Sequence, residues 1–251
     1  MKALITGATS GIGMSIAENL SKKGWELILT GRNYRILREL QSRLDTRTEI
    51  IQADLSKKDD VFKVYRFCQG KSVDMLVNNA GYGIFGKFDE TDLNDEIDMI
   101  NVNITALHIL TKLFLRDFKK RNSGKILNVA SSAGFLTGPL LSSYYASKNY
   151  VVRLSLAVAE ELRRDHSKVT ITILCPGPVD TNFNNRAGVS FSMKPISAEY
   201  AAEYAIEKTL SGKLLAMPGL SVKAGVFASR FVPNRLLSSV VYHIQKSKEK
   251  I

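Results

Sequence analysis

The chain has 251 residues, a length that suits one large domain and is too short for two ordinary domains with a linker. Apolar residues make up 45% and charged residues 24%, which excludes disordered, collagen-like and coiled-coil classes of protein. The formal net charge is +11, but the 35 Lys and Arg residues are scattered in ones and twos, so we expect no nucleic-acid partner.

Targeting and metal-binding signals are not found in the sequence. No apolar signal region precedes the first element and no long uncharged apolar run occurs, so a cytoplasmic location is expected. The two cysteines, Cys68 and Cys175, lie far apart without a CxxC motif, and the chain has 3 histidines. We therefore expect neither a disulfide nor a metal site.

Short runs of branched apolar residues alternate with longer amphipathic segments, as in successive β-α units around a parallel sheet. Strands are predicted at residues 2–6, 26–30, 48–52, 73–77, 124–130, 168–174 and 213–217. Helices are predicted at residues 11–23, 33–44, 57–69, 91–121, 144–165 and 197–211. The expected fold is α/β, a single Rossmann-type doubly wound domain over residues 1–251 with a seven-stranded parallel sheet.

Two segments depart from this pattern. Residues 182–196 have no clear period, and we expect them to form a lid. Residues 219–251 carry apolar residues at helical spacing, interrupted by Pro233, with six basic residues against one acid, Glu249. This helical tail is expected either to contact an anionic membrane surface peripherally or to pack against its own domain or a partner subunit.

Three glycines lie where the first predicted strand turns into the first helix, in the run TGATSGIG at residues 6–13. Glycine permits a tight turn and the close approach of a pyrophosphate, and the helix N-terminus supplies oriented N–H groups. The expected ligand is a dinucleotide, the alternative being a purely structural glycine turn.

The position that reads the cofactor ribose follows the second predicted strand. It holds Gly31 and Arg32 instead of an acid. A guanidinium can grip a 2'-phosphate with two hydrogen bonds, so NADP(H) is expected in preference to NAD(H). The alternative reading of Arg32 is a solvated arginine at the start of a helix.

Tyr144 and Lys148 lie four residues apart in a predicted helix and therefore share a face. An adjacent ammonium, together with an oxidised nicotinamide, is expected to lower the pKa of the phenol from about 10 toward 7. Tyr144 can then exchange a proton with an alcohol or a carbonyl. Ser131 ends the fifth predicted strand, so its hydroxyl is expected to reach the same substrate oxygen.

With these landmarks in order, residues 1 to about 217 resemble the short-chain dehydrogenases/reductases, in the cytosolic branch whose members match this length. The motifs that carry the resemblance are TGATSGIG, Asp54 in ADLS, Asn78-Asn79-Ala80-Gly81, Asn103, Ser131, Tyr144 with Lys148, and Pro176-Gly177 with Thr181.

The resemblance implies four catalytic residues. Tyr144 resembles the acid/base, Ser131 the hydroxyl that orients the substrate, and Asn103 the residue that holds a water in a proton relay. Lys148 is implied to bond the nicotinamide ribose and to lower the tyrosine pKa.

The resemblance also implies the cofactor contacts. Asp54 is expected to meet the adenine ring, Asn78 and its neighbours to close the floor under the adenosine ribose, and Thr181 to bond the carboxamide. The complete set of expected cofactor-binding residues is Gly7, Thr9, Ser10, Gly11, Ile12, Gly13, Arg32, Asn33, Asp54, Leu55, Asn79, Ala80, Gly81, Tyr144, Lys148, Pro176, Gly177, Val179 and Thr181.

The sequence therefore predicts an NADP(H)-dependent oxidoreductase that interconverts a carbonyl and a secondary alcohol. A hydrophobic small-molecule substrate is expected because the residues around it are largely apolar. These residues are Phe135, Leu136, Pro139, Leu140, Leu141, Phe183, Phe191 and Met193. The alternatives are a catalytically idle NADPH-binding regulator and a reductase specialised for 3-oxoacyl chains. The resemblance further implies a homodimer or homotetramer, with residues 91–121 and 144–165 at the interface.

Overall fold

Seven parallel strands form the centre of the computed structural model, which describes residues 1–181 and 195–247. They are β1 (Lys2–Thr6), β2 (Glu26–Gly31), β3 (Thr48–Gln52), β4 (Met75–Asn78), β5 (Lys125–Val129), β6 (Thr170–Leu174) and β9 (Leu215–Ala216). Their order is β3-β2-β1-β4-β5-β6-β9, and every pairing is parallel. A separate parallel pair joins β7 (Val179–Asp180) to β8 (Ile196–Ser197). The predicted seven-stranded doubly wound sheet is confirmed.

Helices connect the strands. They are α1 (Gly11–Lys22), α2 (Tyr34–Arg43), α3 (Lys58–Cys68), α4 (Leu93–Ile100), α5 (Leu107–Lys120), α6 (Ser142–Arg164), α7 (Ala198–Leu210), α8 (Leu220–Ala228) and α9 (Asn234–Lys246). The prediction of one helix over residues 91–121 is wrong in its middle, where a π-helical turn, Asn101–Ala106, separates α4 from α5. Pro233, which lacks an N–H group, directly precedes α9.

The core has two layers because successive residues of a strand point to opposite faces of the sheet. On one face, Ile5 and its neighbours pack against α1 and α7 through residues such as Ile16 and Ile206. On the other face, Leu4 packs with residues of α3, α5 and α6, among them Phe114. Helices on both faces explain why the strands read as almost continuous apolar runs.

The carboxyl ends of the parallel strands meet at one edge of the sheet, and the loops that follow them enclose a cleft. Most of the expected lid, residues 182–194, lies outside the described residues. Within the described ranges, no helix is both long enough and apolar enough to cross a membrane.

Candidate active site

A cleft of about 510 Å³ opens at this edge of the sheet and brings together residues from most of the chain. Of the predicted cofactor-binding residues, all but Gly13 line this cleft. Ser131 also lines it, whereas Asn103 lies behind its wall. Cofactor and catalytic candidates thus share one continuous site.

The glycine turn after β1 is packed so tightly that side chains do not fit. Gly7 has φ +64, and a Cβ there would lie 2.8 Å from the Cα of Ala80. A Cβ on Gly13 would lie 2.3 Å from Nδ2 of Asn79, so Gly13 serves the packing of α1 and does not line the cleft. The turn can therefore approach a ligand with backbone atoms alone.

Hydrogen bonds lock this turn to the segment after β4. Asn79 Nδ2 donates to the carbonyl oxygens of Thr6 (2.9 Å) and Gly7 (3.1 Å). The buried Thr6 hydroxyl accepts from the backbone N–H of Asn79 (2.9 Å) and of Ala80 (3.0 Å), and donates to Val77 O. This role of Thr6 is not among the predictions from the sequence, although a polar residue at the end of a buried strand is a usable signal.

The N-terminus of α1 lies at the cleft, which Ser10, Gly11 and Ile12 line. Ser10 precedes the helix without making a side-chain cap bond, and the first turn holds no acid. The positive end of the helix dipole therefore favours an anion there.

Arg32 lies on the same side of the cleft, at the end of β2. Its side chain is exposed, and its carbonyl oxygen accepts a 2.8 Å hydrogen bond from Gln52 Nε2. In the described part of the chain, no acidic side chain forms an ion pair with the guanidinium. Asn33 has a structural task, because its side chain accepts from Ile36 N and caps α2.

Asp54 is held in place at the far end of the cleft. Its Oδ1 accepts from the N–H (3.1 Å) and the hydroxyl (3.0 Å) of Ser56, and its own N–H donates to Asp60 Oδ2 (2.7 Å). Leu55 is buried beside it. This rigid loop forms one wall of the cleft.

Asn78 corrects one expectation. Its side chain does not line the cleft but is buried, where Nδ2 donates to Thr111 Oγ1 and Asn128 Oδ1, both at 2.9 Å. Asn78 is the last residue of β4, so its side chain follows the alternation of the strand into the interior. The cleft floor is formed by its neighbours Asn79, Ala80 and Gly81.

Lys148 is buried on α6, with 5% of its surface exposed. Its Nζ donates to Val129 O at 2.9 Å and lies 5.8 Å from the centre of the Tyr144 ring. Burial lowers the pKa of Lys148 to about 8. The ammonium also lies behind Gly81, where a Cβ would come within 3.3 Å of Nζ.

Tyr144 and Ser131 meet through a side-chain hydrogen bond. Ser131 also accepts from Ala133 N at 3.2 Å, which caps the short 3-10 turn Ser132–Phe135 and fixes the hydroxyl. Burial raises the pKa of Tyr144, and the bond to Ser131 opposes this rise. The pKa of Tyr144 is thus raised in the chain by itself, whereas a lowered pKa was expected. That expectation included the positive charge of an oxidised nicotinamide as well as the charge of Lys148.

Asn103 lies in the π-helical turn and is 1% exposed. Its Nδ2 donates to Tyr82 O (2.9 Å) and Ser147 Oγ (3.0 Å), and its Oδ1 accepts from Tyr82 N (3.1 Å). Both ends of this amide have protein partners, so the side chain holds the Gly81–Tyr82 loop against α6. The part that Ser147 and Tyr82 play in this network was not predictable from the sequence pattern.

The substrate end of the cleft also contains two residues that are not among those predicted from the sequence, Tyr145 and Gln245. Of the described apolar residues expected there, Leu141 lines the cleft, while Phe135 packs into a buried cluster. The three expected lid residues, Phe183, Phe191 and Met193, lie outside the described residues.

Comparison with known proteins identifies the family. The model of the short chain dehydrogenase family matches residues 1–189. The chain belongs to the short-chain dehydrogenase family. It is therefore an oxidoreductase of the short-chain dehydrogenase/reductase class, and the resemblance seen in its motifs is confirmed.

Individual relatives and structures agree with this assignment. The chain is 36% identical over 183 residues to an uncharacterized oxidoreductase of Staphylococcus epidermidis, covering 71% of this chain and 78% of that protein. It is 32% identical over 207 residues to a very-long-chain 3-oxoacyl-CoA reductase of Anas platyrhynchos, covering 79% of this chain and 65% of the duck protein. The structure of a short-chain dehydrogenase from Sphingobium yanoikuyae in complex with NADPH matches with a TM-score of 0.82 and 28% identity, covering 94% and 95% of the two chains. A Burkholderia phymatum family member in complex with NAD matches with a TM-score of 0.80 and 25% identity, covering 90% and 91%.

Proposed function

We propose that this short-chain dehydrogenase is an NADP(H)-dependent enzyme that interconverts a carbonyl and a secondary alcohol. The observation that carries the proposal is the position of Ser131, Tyr144 and Lys148 in the same cleft as the glycine turn and Arg32. A proton donor and a dinucleotide site therefore share one enclosure, as carbonyl reduction requires.

The residues present fit a nicotinamide dinucleotide. Gly7 leaves no room for a side chain and brings the backbone to the cleft surface, and the α1 N-terminus, which the Ser10 side chain does not cap, offers N–H groups to a pyrophosphate. When bound, NADPH supplies the hydride that reduces a carbonyl carbon. Gly81, with Lys148 Nζ directly behind it, would hold the nicotinamide ribose end.

Arg32 supports NADP(H) over NAD(H). Solved relatives in complex with NADPH and with NAD both match this fold, so the preference depends on the residues of this chain. An exposed guanidinium at the end of β2 suits a 2'-phosphate, and the acid that would bond an unphosphorylated ribose is replaced by Gly31 and Arg32.

Tyr144 is the proposed acid that protonates the substrate oxygen. Its raised pKa keeps the phenol protonated and able to donate near neutral pH. Ser131, fixed by its bond from Ala133 N, donates to the same oxygen and sets its direction. Lys148, anchored on Val129 O, adds positive charge that stabilises the phenolate left after proton transfer.

A reductase for 3-oxoacyl chains is the second candidate, favoured by the likeness to very-long-chain 3-oxoacyl-CoA reductases. The proposed substrate is therefore a hydrophobic carbonyl compound, of which a 3-oxoacyl thioester is one specific case.

The test is a panel of aliphatic ketones, aromatic ketones and 3-oxoacyl thioesters, assayed with NADPH and with NADH. We expect oxidation of NADPH with at least one class, and a kcat/KM higher with NADPH than with NADH. Activity confined to the thioesters would select the second candidate. Tight NADPH binding without turnover of any class would instead select the alternative of an idle regulator.

A further inference from the structure

The last turn of α9 places one polar side chain into the substrate end of the cleft. Gln245 is 1% exposed, although α9 lies in the tail and is otherwise largely solvent-accessible. Gln245 lines the cleft together with Tyr144, Tyr145 and Leu141. A residue 100 positions away from Tyr145 along the chain thus forms part of the site.

Of the two polar atoms of the Gln245 amide, only one has a hydrogen-bond partner among the described residues. Its Nε2 donates to the hydroxyl of Tyr145. Its Oε1 is buried and has no hydrogen-bond partner among the residues that the structure describes. A buried carbonyl oxygen without a partner is costly, and a ligand group that donates to it removes this cost.

The tail is attached in a way that fixes this amide. Thr137 Oγ1 and Ser238 Oγ are 2.8 Å apart and join α9 to the loop that follows Ser131. Val241, one turn before Gln245, is buried with 6% exposed. The ring of Tyr145 packs on Gly138, where a Cβ would lie 2.1 Å from the ring. Both partners of the Gln245 bond are therefore held in position.

We infer that Gln245 is a specificity-determining residue that accepts a hydrogen bond from a hydroxyl or N–H group of the substrate. The inference rests on the proposed function, because it assumes that the carbonyl binds at Tyr144. The preferred substrate is then a largely apolar carbonyl compound with a second polar group, a hydrogen-bond donor, away from the reacting carbon. A site with a buried acceptor discriminates strongly against analogues that lack the donor.

The experiment compares matched pairs of ketones. Linear methyl ketones that carry a hydroxyl at increasing separation from the carbonyl are each paired with the ketone that lacks the hydroxyl. In the wild-type enzyme with NADPH, we expect kcat/KM for at least one hydroxyketone to exceed that of its partner by about ten-fold or more.

The variants are Gln245→Met, which keeps the length but removes both polar atoms, and Gln245→Glu, which keeps an acceptor. We expect Gln245→Met to reduce the preference to near one by slowing the hydroxyketone alone, and Gln245→Glu to retain it. Gln41→Met is the matched control, because Gln41 is half-buried on α2 and donates to Thr48 O away from the cleft. It should leave the preference unchanged.

Titration calorimetry with the hydroxyketone, with and without NADP+, gives a readout that does not depend on turnover. We expect Gln245→Met to raise the Kd about ten-fold for the hydroxyketone and to leave the Kd of the plain ketone unchanged. Equal effects on both ketones, or no hydroxyketone preferred by the wild type, would overturn the inference. If no ketone is reduced at all, the proposed function fails, and the calorimetric comparison still decides the role of Gln245.

Discussion

The buried Lys148 makes the site costly for folding, and Lys148→Met measures this cost. Burial lowers its pKa from 10.5 to about 8, a difference of about 2.5 units. At about 1.4 kcal/mol for each unit, holding the ammonium inside the protein costs about 3.5 kcal/mol. The bond to Val129 O returns about 1 kcal/mol. We therefore expect Lys148→Met to raise the free energy of unfolding by about 2.5 kcal/mol at pH 7.

The pH dependence of this stability difference shows whether the charge of Lys148 causes it. Below pH 8 the lysine is charged in both the folded and the unfolded chain, so the cost is present in full. As pH rises from about 8 toward 10.5, the folded protein releases the proton first, the unfolded chain binds more protons, and the wild type becomes more stable relative to the variant. At pH 9.5 the remaining cost of burying the Lys148 charge corresponds to about one pKa unit. The stability advantage of Lys148→Met over the wild type should therefore fall to about 0.5 kcal/mol.

Urea unfolding of both proteins at pH 7 and pH 9.5 provides the measurement. Lys168→Met is the control, because Lys168 is exposed, and it should change the free energy of unfolding by less than about 0.5 kcal/mol at both pH values. A Lys148→Met protein that is less stable than the wild type at pH 7, or a stability advantage that does not change with pH, would show that burying the Lys148 charge does not cost the expected free energy. The same variant should lose turnover, since it removes the charge beside Tyr144.

Three further variants, one of them a double substitution, test other parts of the site and the tail. Arg32→Asp should move the ratio of kcat/KM values toward NADH by at least ten-fold, and an unchanged ratio would contradict a 2'-phosphate contact. Thr6→Val leaves the N–H groups of Asn79 and Ala80 without their acceptor. It should therefore lower the free energy of unfolding by about 1–3 kcal/mol and raise the KM for the cofactor. Urea unfolding and steady-state kinetics would show whether either effect is missing. The double variant Phe227→Ser with Phe231→Ser removes two apolar side chains that are 61% and 74% exposed. They lie in the tail, whose described part, residues 219–247, contains no acidic residue, so the variant should pellet less with anionic liposomes at low salt. Equal pelleting of variant and wild type would count against lipid contact.

The sheet and the cleft could be predicted because their signals are local. Parallel strands buried on both faces appear as short apolar runs, and a loop after each carboxyl end marks the site. The glycine turn, Arg32, Ser131 and the Tyr144–Lys148 pair all lie at such ends or on the helix that follows, and the structure brings them into one cleft.

The remaining features depend on contacts between distant parts of the chain. The π-helical turn accompanies the hydrogen bonds of Asn103 to Tyr82 and Ser147, which no periodicity within residues 91–121 reveals. Asn78 turns inward because of its register in β4, a position that one-residue shifts of the strand would reverse. Gln245 reaches the cleft only because α9 folds back over the loop after Ser131.

Some expectations stay predictions. A homodimer or homotetramer through residues 91–121 and 144–165 is implied by the family resemblance, and light scattering would test it. The lid falls almost wholly on residues 182–194, outside the described ranges.

Tyr144→Phe is the most direct test of proton transfer by this phenol, with Tyr150→Phe as the control. Tyr150 lies on the same helix, and its hydroxyl contacts His108 Nδ1 at 2.7 Å, away from the cleft. We expect Tyr144→Phe to lower kcat for ketone reduction by about 10³-fold while the Kd for NADPH changes by only a few-fold, and Tyr150→Phe to retain activity. Ketone reduction by Tyr144→Phe at a rate near that of the wild type would contradict the assignment of Tyr144 as the acid.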